Sequence, residues 1–321
     1  MAPLDRKTRS IKDQALPKLP GLRDFRALPD GVKLALAVLN RRLQLLPRAV
    51  PRALFLALTT RCQLSCAHCR YRQGAGASRR ARDIAPALAL KALRQAAAAG
   101  IPRVIFFGGE PTLSSALRPL IKAAAGLGLF TELDTNGRRL LEKGFPEALR
   151  SAGLCAARIS LHSSSAAAHD ALSGRGSFAA TGRAVAASKR AGLLTYISSC
   201  VFSGNAAEST DRLVAMAAAR GAHGLRLLPF VPGGGSSALP LRLSAELSAR
   251  GTSGYAGTCV PAGARACAAA LGEVVYIDTA GGVKVCPYAS GRLGTLTRTK
   301  LASLLRAGRR LPAAFPCQNP A

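Results

Sequence analysis

Ala53-Leu54-Phe55-Leu56-Ala57-Leu58-Thr59-Thr60-Arg61-Cys62-Gln63-Leu64-Ser65-Cys66-Ala67-His68-Cys69 decides the fold. Its opening seven residues, 53–59, form an apolar run of strand length, the pattern of a strand buried on both faces. The run passes without a spacer into a loop carrying three cysteines as C-x3-C-x2-C. A strand that delivers such residues at its C-terminal end suits a parallel α/β sheet, where reactive groups gather at that edge. Outward from this stretch the pattern alternates. Further strands are predicted at 103–107, 129–133, 156–161, 194–201 and 225–230. Helices are predicted at 86–98, 113–125, 137–151, 178–191 and 209–219. Six βα units with right-handed crossovers predict an α/β fold, a partial (β/α)6 TIM-like barrel over residues 52–232.

Two flanking segments differ in rhythm. Residues 1–51 are basic and Pro-punctuated, with one amphipathic helix predicted over 32–46 between Asp30 and Pro47. That helix either docks on the protein or makes a peripheral membrane contact. Residues 233–321 open with a Gly/Ser/Pro loop and continue as a small Cys-rich α+β module with one predicted hairpin, strands 273–277 and 283–286 around a turn at 278–282.

At 321 residues the chain is long enough for a sizeable core, and 49% hydrophobic against 19% charged residues is a globular balance. No apolar run reaches the roughly 18 residues of a membrane span, and the first thirty residues carry too much charge for an export signal, so a cytoplasmic location is expected. Lys and Arg number 45 against 16 Asp and Glu, a net charge of +29. The basic residues are scattered rather than striped with aromatics, and Trp is absent. Nucleic acid is therefore not the expected partner. Nine cysteines in a chain expected in a reducing compartment point to metal or redox use.

Three thiolates on one tight loop can hold three irons of a 4Fe-4S cube and leave the fourth open to a non-protein ligand. The alternative at this point is a zinc knot completed by His68 or a distant residue. Cys62, Cys66 and Cys69 after the first strand, followed one βα unit later by Gly108-Gly109-Glu110-Pro111, resemble the radical S-adenosylmethionine (radical SAM) superfamily. The resemblance implies that the three cysteines ligate the cluster and that S-adenosylmethionine chelates the open iron. It also implies that His68 packs near the adenine and that the Gly-Gly-Glu-Pro turn receives the methionine amino group. By the same resemblance Asn136, in Asp134-Thr135-Asn136-Gly137, and Ser160, in Ile159-Ser160-Leu161-His162, are polar contacts to the cofactor. Arg175, in the loop running from His169 to Phe178, is the partner of its carboxylate. Many relatives carry Asp where His162 stands. The implied chemistry is reductive cleavage to a 5′-deoxyadenosyl radical that abstracts hydrogen from substrate. A low-potential donor such as flavodoxin or ferredoxin supplies the electron, and no catalytic acid or base is singled out.

In the tail, Cys267 and Cys286 bracket the predicted hairpin in a spacing that resembles the auxiliary-cluster module called SPASM, or its shortened form, twitch. The pattern breaks off after Cys317. One auxiliary 4Fe-4S cluster is therefore expected, with ligands from Cys259, Cys267, Cys286 and Cys317; a structural zinc site is the alternative. Cys155 and Cys200 read as core packing. The family implies a peptide or small-molecule substrate, and the segment before Ala53 is short for the winged-helix domain of many peptide maturases. Glu132, Asp134, Ser199 and Arg226 are candidate substrate contacts within the barrel. A rival class, a non-catalytic iron-sulfur or zinc protein binding nucleic acid, accounts for cysteines and charge but not for Gly108–Pro111.

Overall fold

The computed structural model describes residues 50–69, 82–201, 210–229, 269, 272–289 and 291–308. The helix predicted over 32–46 and Cys259, Cys267 and Cys317 lie outside them. Strand β1 (Ala53–Thr59) leads to helix α1 (Pro86–Ala98) and strand β2 (Arg103–Gly108). Next come α2 (Leu117–Gly126), β3 (Phe130–Thr135), α3 (Phe145–Ala152) and β4 (Ala156–Ser160). Two consecutive helices, α4 (Ala166–Ser173) and α5 (Ser177–Arg190), precede β5 (Leu194–Val201), and α6 (Thr210–Ala219) precedes β6 (Gly224–Pro229). The tail adds β7 (Val274–Ile277), β8 (Gly282–Lys284), β9 (Gly294–Thr295) and α7 (Leu301–Gly308).

Among the described residues the nine strands join one sheet in the order β6-β5-β4-β3-β2-β1-β7-β8-β9, with β1 to β6 parallel. The order has two ends, so the barrel is partial, as the alternating pattern predicts. The tail hairpin does not form a sheet of its own. Strand β7 pairs parallel with β1, and β8 runs antiparallel to both of its neighbours, β7 and β9.

Strand β1 is buried along its whole length because both of its faces are covered. Leu54, Leu56 and Leu58 pack outward with Ala89, Leu93 and their neighbours on the helix layer. Ala53, Phe55 and Ala57 face inward with Ile105, Val274 and Tyr276. Each leucine buried this way contributes roughly 2 kcal/mol of transfer free energy. Register carries the alternation around the barrel: Ile105 stands beside Glu132, Asp134 beside Arg158, and Ser198 beside both Ser160 and Arg226. Ser198 therefore shares the inner face with Arg226. Ser199, predicted as a barrel contact, points to the opposite face by the period of two, toward the side on which Ile197 packs against the helices.

Two predicted helices differ in detail, and one further helix stands outside the predicted set. Residues 113–125 split into a 3-10 turn at Pro111–Leu113, capped by the Glu110 side chain, and α2. Residues 137–151 split into a 3-10 turn at Arg138–Leu141 and α3, because Gly144 takes φ 77° and breaks the path. Helix α4 stands where a loop was expected. Ser165 starts it, its hydroxyl accepting from Ala168 N, and the run Ala166-Ala167-Ala168 sustains it. Among the described residues no helix is long and apolar enough to cross a membrane.

Candidate active site

Parallel strands bring the loops after β1, β2, β3 and β4 to one edge of the sheet. There the backbone ties the first two loops together. Gly109 N donates to Thr59 O at 2.8 Å and Glu110 N to Arg61 O at 2.7 Å. A β-carbon on Gly109 would collide with the Arg61 carbonyl oxygen, and one on Gly108 with that of Thr59. The paired glycines are thus required for the glycine turn to lie against the cysteine loop, with no side chain between them.

The start of the cysteine loop is clamped from its other side. Asp83 accepts from Thr59 Oγ1 at 2.6 Å and from Arg61 Nε and Nη2 at 3.1 and 2.6 Å. Arg61 also reaches Leu113 O at 2.9 Å. The loop's later part rests on α4, where Ala67 N donates to Leu172 O at 2.9 Å.

Glu110 is almost completely buried, and both of its oxygens are taken. Oε1 accepts from Thr112 N at 3.2 Å, Thr112 Oγ1 at 2.6 Å and Thr135 Oγ1 at 2.7 Å, and Oε2 accepts from Asn136 N at 2.8 Å. Burial pushes its pKa up, and these four donors oppose that rise. The carboxylate thus staples the turn after β2 to the turn after β3. Gly137 completes that second turn at φ 81°, where a β-carbon would meet Ala184 and Ile159 within 3 Å.

Cys62 Sγ accepts from Leu64 N at 3.4 Å, and Asn136 Nδ2 lies 4.0 Å from it. Burial pushes the Cys62 thiol up to about 11, with the charges of Glu110, Cys66 and Cys69 adding to the rise. The three thiols of the loop thus share one electrostatic neighbourhood, a donor set that would ionise on binding cationic iron. This arrangement fits a cluster held by Cys62, Cys66 and Cys69. Among the described residues no three His, Cys, Asp or Glu side chains close around a single ion.

Three of the chain's four histidines converge beside the loop. The His68 ring meets His162 edge-on at 4.2 Å, and His162 stacks on His169 at 5.6 Å. His169 Nδ1 accepts from His162 N at 3.0 Å, and His162 Nδ1 accepts from Cys200 N at 3.0 Å. Burial lowers His68 to about 4 and holds His162 and His169 below the usual imidazole range, so all three are neutral at pH 7. His68 Nδ1 is buried without a hydrogen-bond partner among the described residues, an orphan polar atom beside the cysteine loop.

The other site candidates occupy the same edge. Ser160 ends β4, Asn136 follows β3, and Arg175 is exposed on the turn between α4 and α5, three residues beyond Leu172. Asp170 organises that turn by accepting from Gly176 N at 2.7 Å and Phe178 N at 2.8 Å. In the tail, Cys286 is buried in the same inner cluster that Cys69 packs against, and its Sγ accepts from Tyr288 N at 3.2 Å. Cys155 is core packing, as its context predicts, lying 3.7 Å from Gly153 O. Cys200 stands on the inner face with Ser198 by the period of two; its backbone N–H donates to His162 Nδ1, and burial, with the charge of Cys69, pushes its thiol up to about 12. Asp83, Arg61 and His169 carry no motif that marks them as site residues in the sequence, and Cys200 reads there as core packing. Only the scarcity of histidine pointed toward the ring stack.

Comparison with known proteins agrees with this geometry. Residues 56–217 match the family model described as the Radical SAM superfamily. The PqqA peptide cyclase of Xanthomonas campestris pv. campestris (strain B100) is 33% identical over 175 residues, covering 54% of this chain and 45% of that protein. The PqqA peptide cyclase of Bradyrhizobium diazoefficiens is 35% identical over 111 residues, covering 35% of this chain and 28% of that protein. The chain spans about half the length of the curated relatives it matches. Among solved structures, Streptococcus suis SuiB bound to precursor peptide SuiA superposes with a TM-score of 0.65 at 16% identity, covering 83% of this chain and 68% of that one. Native anSMEcpe with bound AdoMet gives 0.59 at 15% identity, covering 78% and 80%. These structural likenesses establish the fold. With half of its length matched by the family model, and with the cysteine loop and glycine turn hydrogen-bonded at one sheet edge, the chain belongs to the Radical SAM superfamily, which implies a 4Fe-4S cluster and S-adenosylmethionine.

Proposed function

We propose that this chain initiates radical chemistry on a peptide substrate. Cys62, Cys66 and Cys69 would hold the cluster, and S-adenosylmethionine would complete it. The observation that carries this reading is the backbone lock of the glycine turn onto the cysteine loop through Gly109 N and Glu110 N. When bound, the cluster supplies the electron that cleaves S-adenosylmethionine reductively and so starts hydrogen abstraction from substrate.

The chain's own residues position and shield. The turn at Gly108, Gly109 and Pro111 presents backbone to the methionine amino group, while Glu110 holds that turn from behind. Asn136 and Ser160 offer polar contacts at the ends of β3 and β4, and Arg175 offers a guanidinium for the cofactor carboxylate. The His68 ring, backed by His162 and His169, packs beside the adenine. Phe55, Phe107 and Tyr276, edge to face at 5.9 and 6.1 Å, wall the inner face below the loop and exclude water there.

A peptide substrate is supported by the PqqA peptide cyclases and by SuiB, which was solved with a precursor peptide. An auxiliary 4Fe-4S cluster on Cys286, with Cys259, Cys267 and Cys317, extends the reading into the tail. The buried thiol of Cys286, with an N–H already pointing at it, supports that placement. A flavodoxin or ferredoxin in the cytoplasm would supply the electron.

Anaerobic reconstitution tests the proposal. Dithionite should release 5′-deoxyadenosine from S-adenosylmethionine, and Cys66→Ala should abolish the release while leaving tail-bound iron. Undiminished release from Cys66→Ala would overturn the assignment. Loss of about one cluster's iron from Cys286→Ser would support the auxiliary site, and unchanged iron would remove it.

A further inference from the structure

Lys284 is a buried cation in the tail. It ends β8 at 3% exposure, directly across from Tyr276 on β7, and so stands on the inner face two residues before Cys286. Its Nζ donates to Ala289 O at 2.9 Å. The residues between fold tightly around the thiol: Ala289 N donates to Cys286 O at 3.3 Å, and Tyr288 N to Cys286 Sγ at 3.2 Å. The lysine side chain therefore straps the turn that carries Cys286.

An ammonium taken out of water is costly unless an anion stands beside it. Among the described residues no carboxylate lies within ion-pair distance of Lys284 Nζ, and the Ala289 carbonyl is its hydrogen-bond acceptor, which leaves two of its three N–H donors to other use. Residues 233–321 contain three acidic residues, Glu246, Glu273 and Asp278, of which Glu246 lies outside the described residues. Glu273 pairs with Arg52 at 2.9 Å. Asp278 gives Oδ2 to Arg292 at 2.9 Å and Oδ1 to Ala280 N and Gly282 N at 2.9 and 2.8 Å. Burial lowers the Lys284 pKa, Asp278 counters that fall, Arg292 adds to it, and a charge on Cys286 counters it again. A 4Fe-4S cube on thiolates meets this demand: it is anionic when oxidised and gains one further negative charge, with no proton, on taking one electron.

We infer that Lys284 is a positioning residue for the auxiliary centre on Cys286, its ammonium the built-in counter-ion that holds the anionic cluster and raises its reduction potential. The inference rests on the auxiliary-cluster reading above. A fixed positive charge favours the reduced, more anionic form, so the centre takes one electron from the low-potential donor more readily with Lys284 than without it. Lys284 acts through its charge and moves no proton.

Potentiometric titration followed by electron paramagnetic resonance tests it on the reconstituted full chain carrying Cys66→Ala, in which tail-bound iron is expected. Lys284→Met in that background should lower the midpoint potential by at least about 59 mV, a tenfold shift in a one-electron reduction equilibrium, at unchanged iron content. Lys284→Gln, which keeps an N–H donor without the charge, should lower it as far. Lys284→Arg should return the equilibrium to within about twofold of the lysine parent. A methionine or glutamine variant with the parent's potential overturns the proposal, as does an arginine variant that shifts as far as methionine, which assigns Lys284 a purely structural part. If the methionine variant sheds its iron, retention in the arginine variant upholds the counter-ion and loss from both overturns it. The auxiliary reading fails by different signs. Absence of tail iron from the Cys66→Ala chain, a redox-silent metal there, or iron that survives Cys286→Ser defeats that reading and the inference with it. A lysine-independent potential on intact tail iron defeats the inference alone.

Discussion

Replacing Glu110 separates two roles for the Gly-Gly-Glu turn. In one, its carboxylate faces the ammonium of bound S-adenosylmethionine; in the other, it staples two turns of the protein. The structure gives it four donors, and the backbone N–H groups of Thr112 and Asn136 have no other acceptor within the staple. Glu110→Ala strands both, at about 1–3 kcal/mol each, and opens a cavity. Relief from burying the carboxylate offsets part of this, so a net loss of about 3 kcal/mol is expected. Glu110→Gln preserves shape and the oxygen that serves Thr112 and Thr135, but sets an amide NH2 against Asn136 N. About 1–2 kcal/mol is expected. Urea unfolding under anaerobic conditions reads both variants, with equilibrium dialysis of S-adenosylmethionine in parallel. Affinity should fall in the same order as stability. An alanine variant as stable as the parent that no longer binds the cofactor would refute the staple, as would a glutamine variant costing as much as alanine.

Two further outcomes follow from the same geometry. Gly109→Ala forces a β-carbon onto the Arg61 carbonyl, so it should lower S-adenosylmethionine affinity at least tenfold and cost about 2 kcal/mol of stability, read by dialysis and urea midpoint; an unchanged midpoint contradicts the close approach. Burial raises Asp134 from 3.8 to about 6, with Arg226 and Arg103 opposing the rise, so its contribution to stability is complete below pH 3.8 and lost as pH climbs through about 6. Asp134→Asn should therefore gain about 1 kcal/mol on the parent between pH 5 and pH 7, and a pH-independent difference contradicts the raised value.

Where one residue's chemistry dictates its neighbours, the sequence was legible. The run 53–59 could only be a strand buried on both faces, and β1 and β5 begin and end where their apolar runs do. The cysteine spacing and the glycine turn pointed to one another before their hydrogen bonds were visible. Helix α4 was missed because serine and glycine flank it, and what holds it is a tertiary contact, the Ala67 N–H on Leu172 O. The tail hairpin was legible as a hairpin but not as an extension of the barrel sheet, since pairing between β7 and β1 joins residues more than two hundred positions apart. The stapling role of Glu110 was not legible for a related reason. Sequence shows a carboxylate beside a cofactor motif, whereas its four donors come from the folds of two separate turns. Arg61 with Asp83, and His68 with His162 and His169, are likewise pairings that only the closed sheet edge creates.

The central claim is that the cysteine loop leaves one iron for S-adenosylmethionine, and electron-nuclear double resonance of the reduced cluster tests it most directly. With methionine-15N-labelled S-adenosylmethionine, the enzyme should show a nitrogen hyperfine coupling that disappears in Cys66→Ala. A reduced, intact cluster with no coupling to the labelled nitrogen would contradict the account.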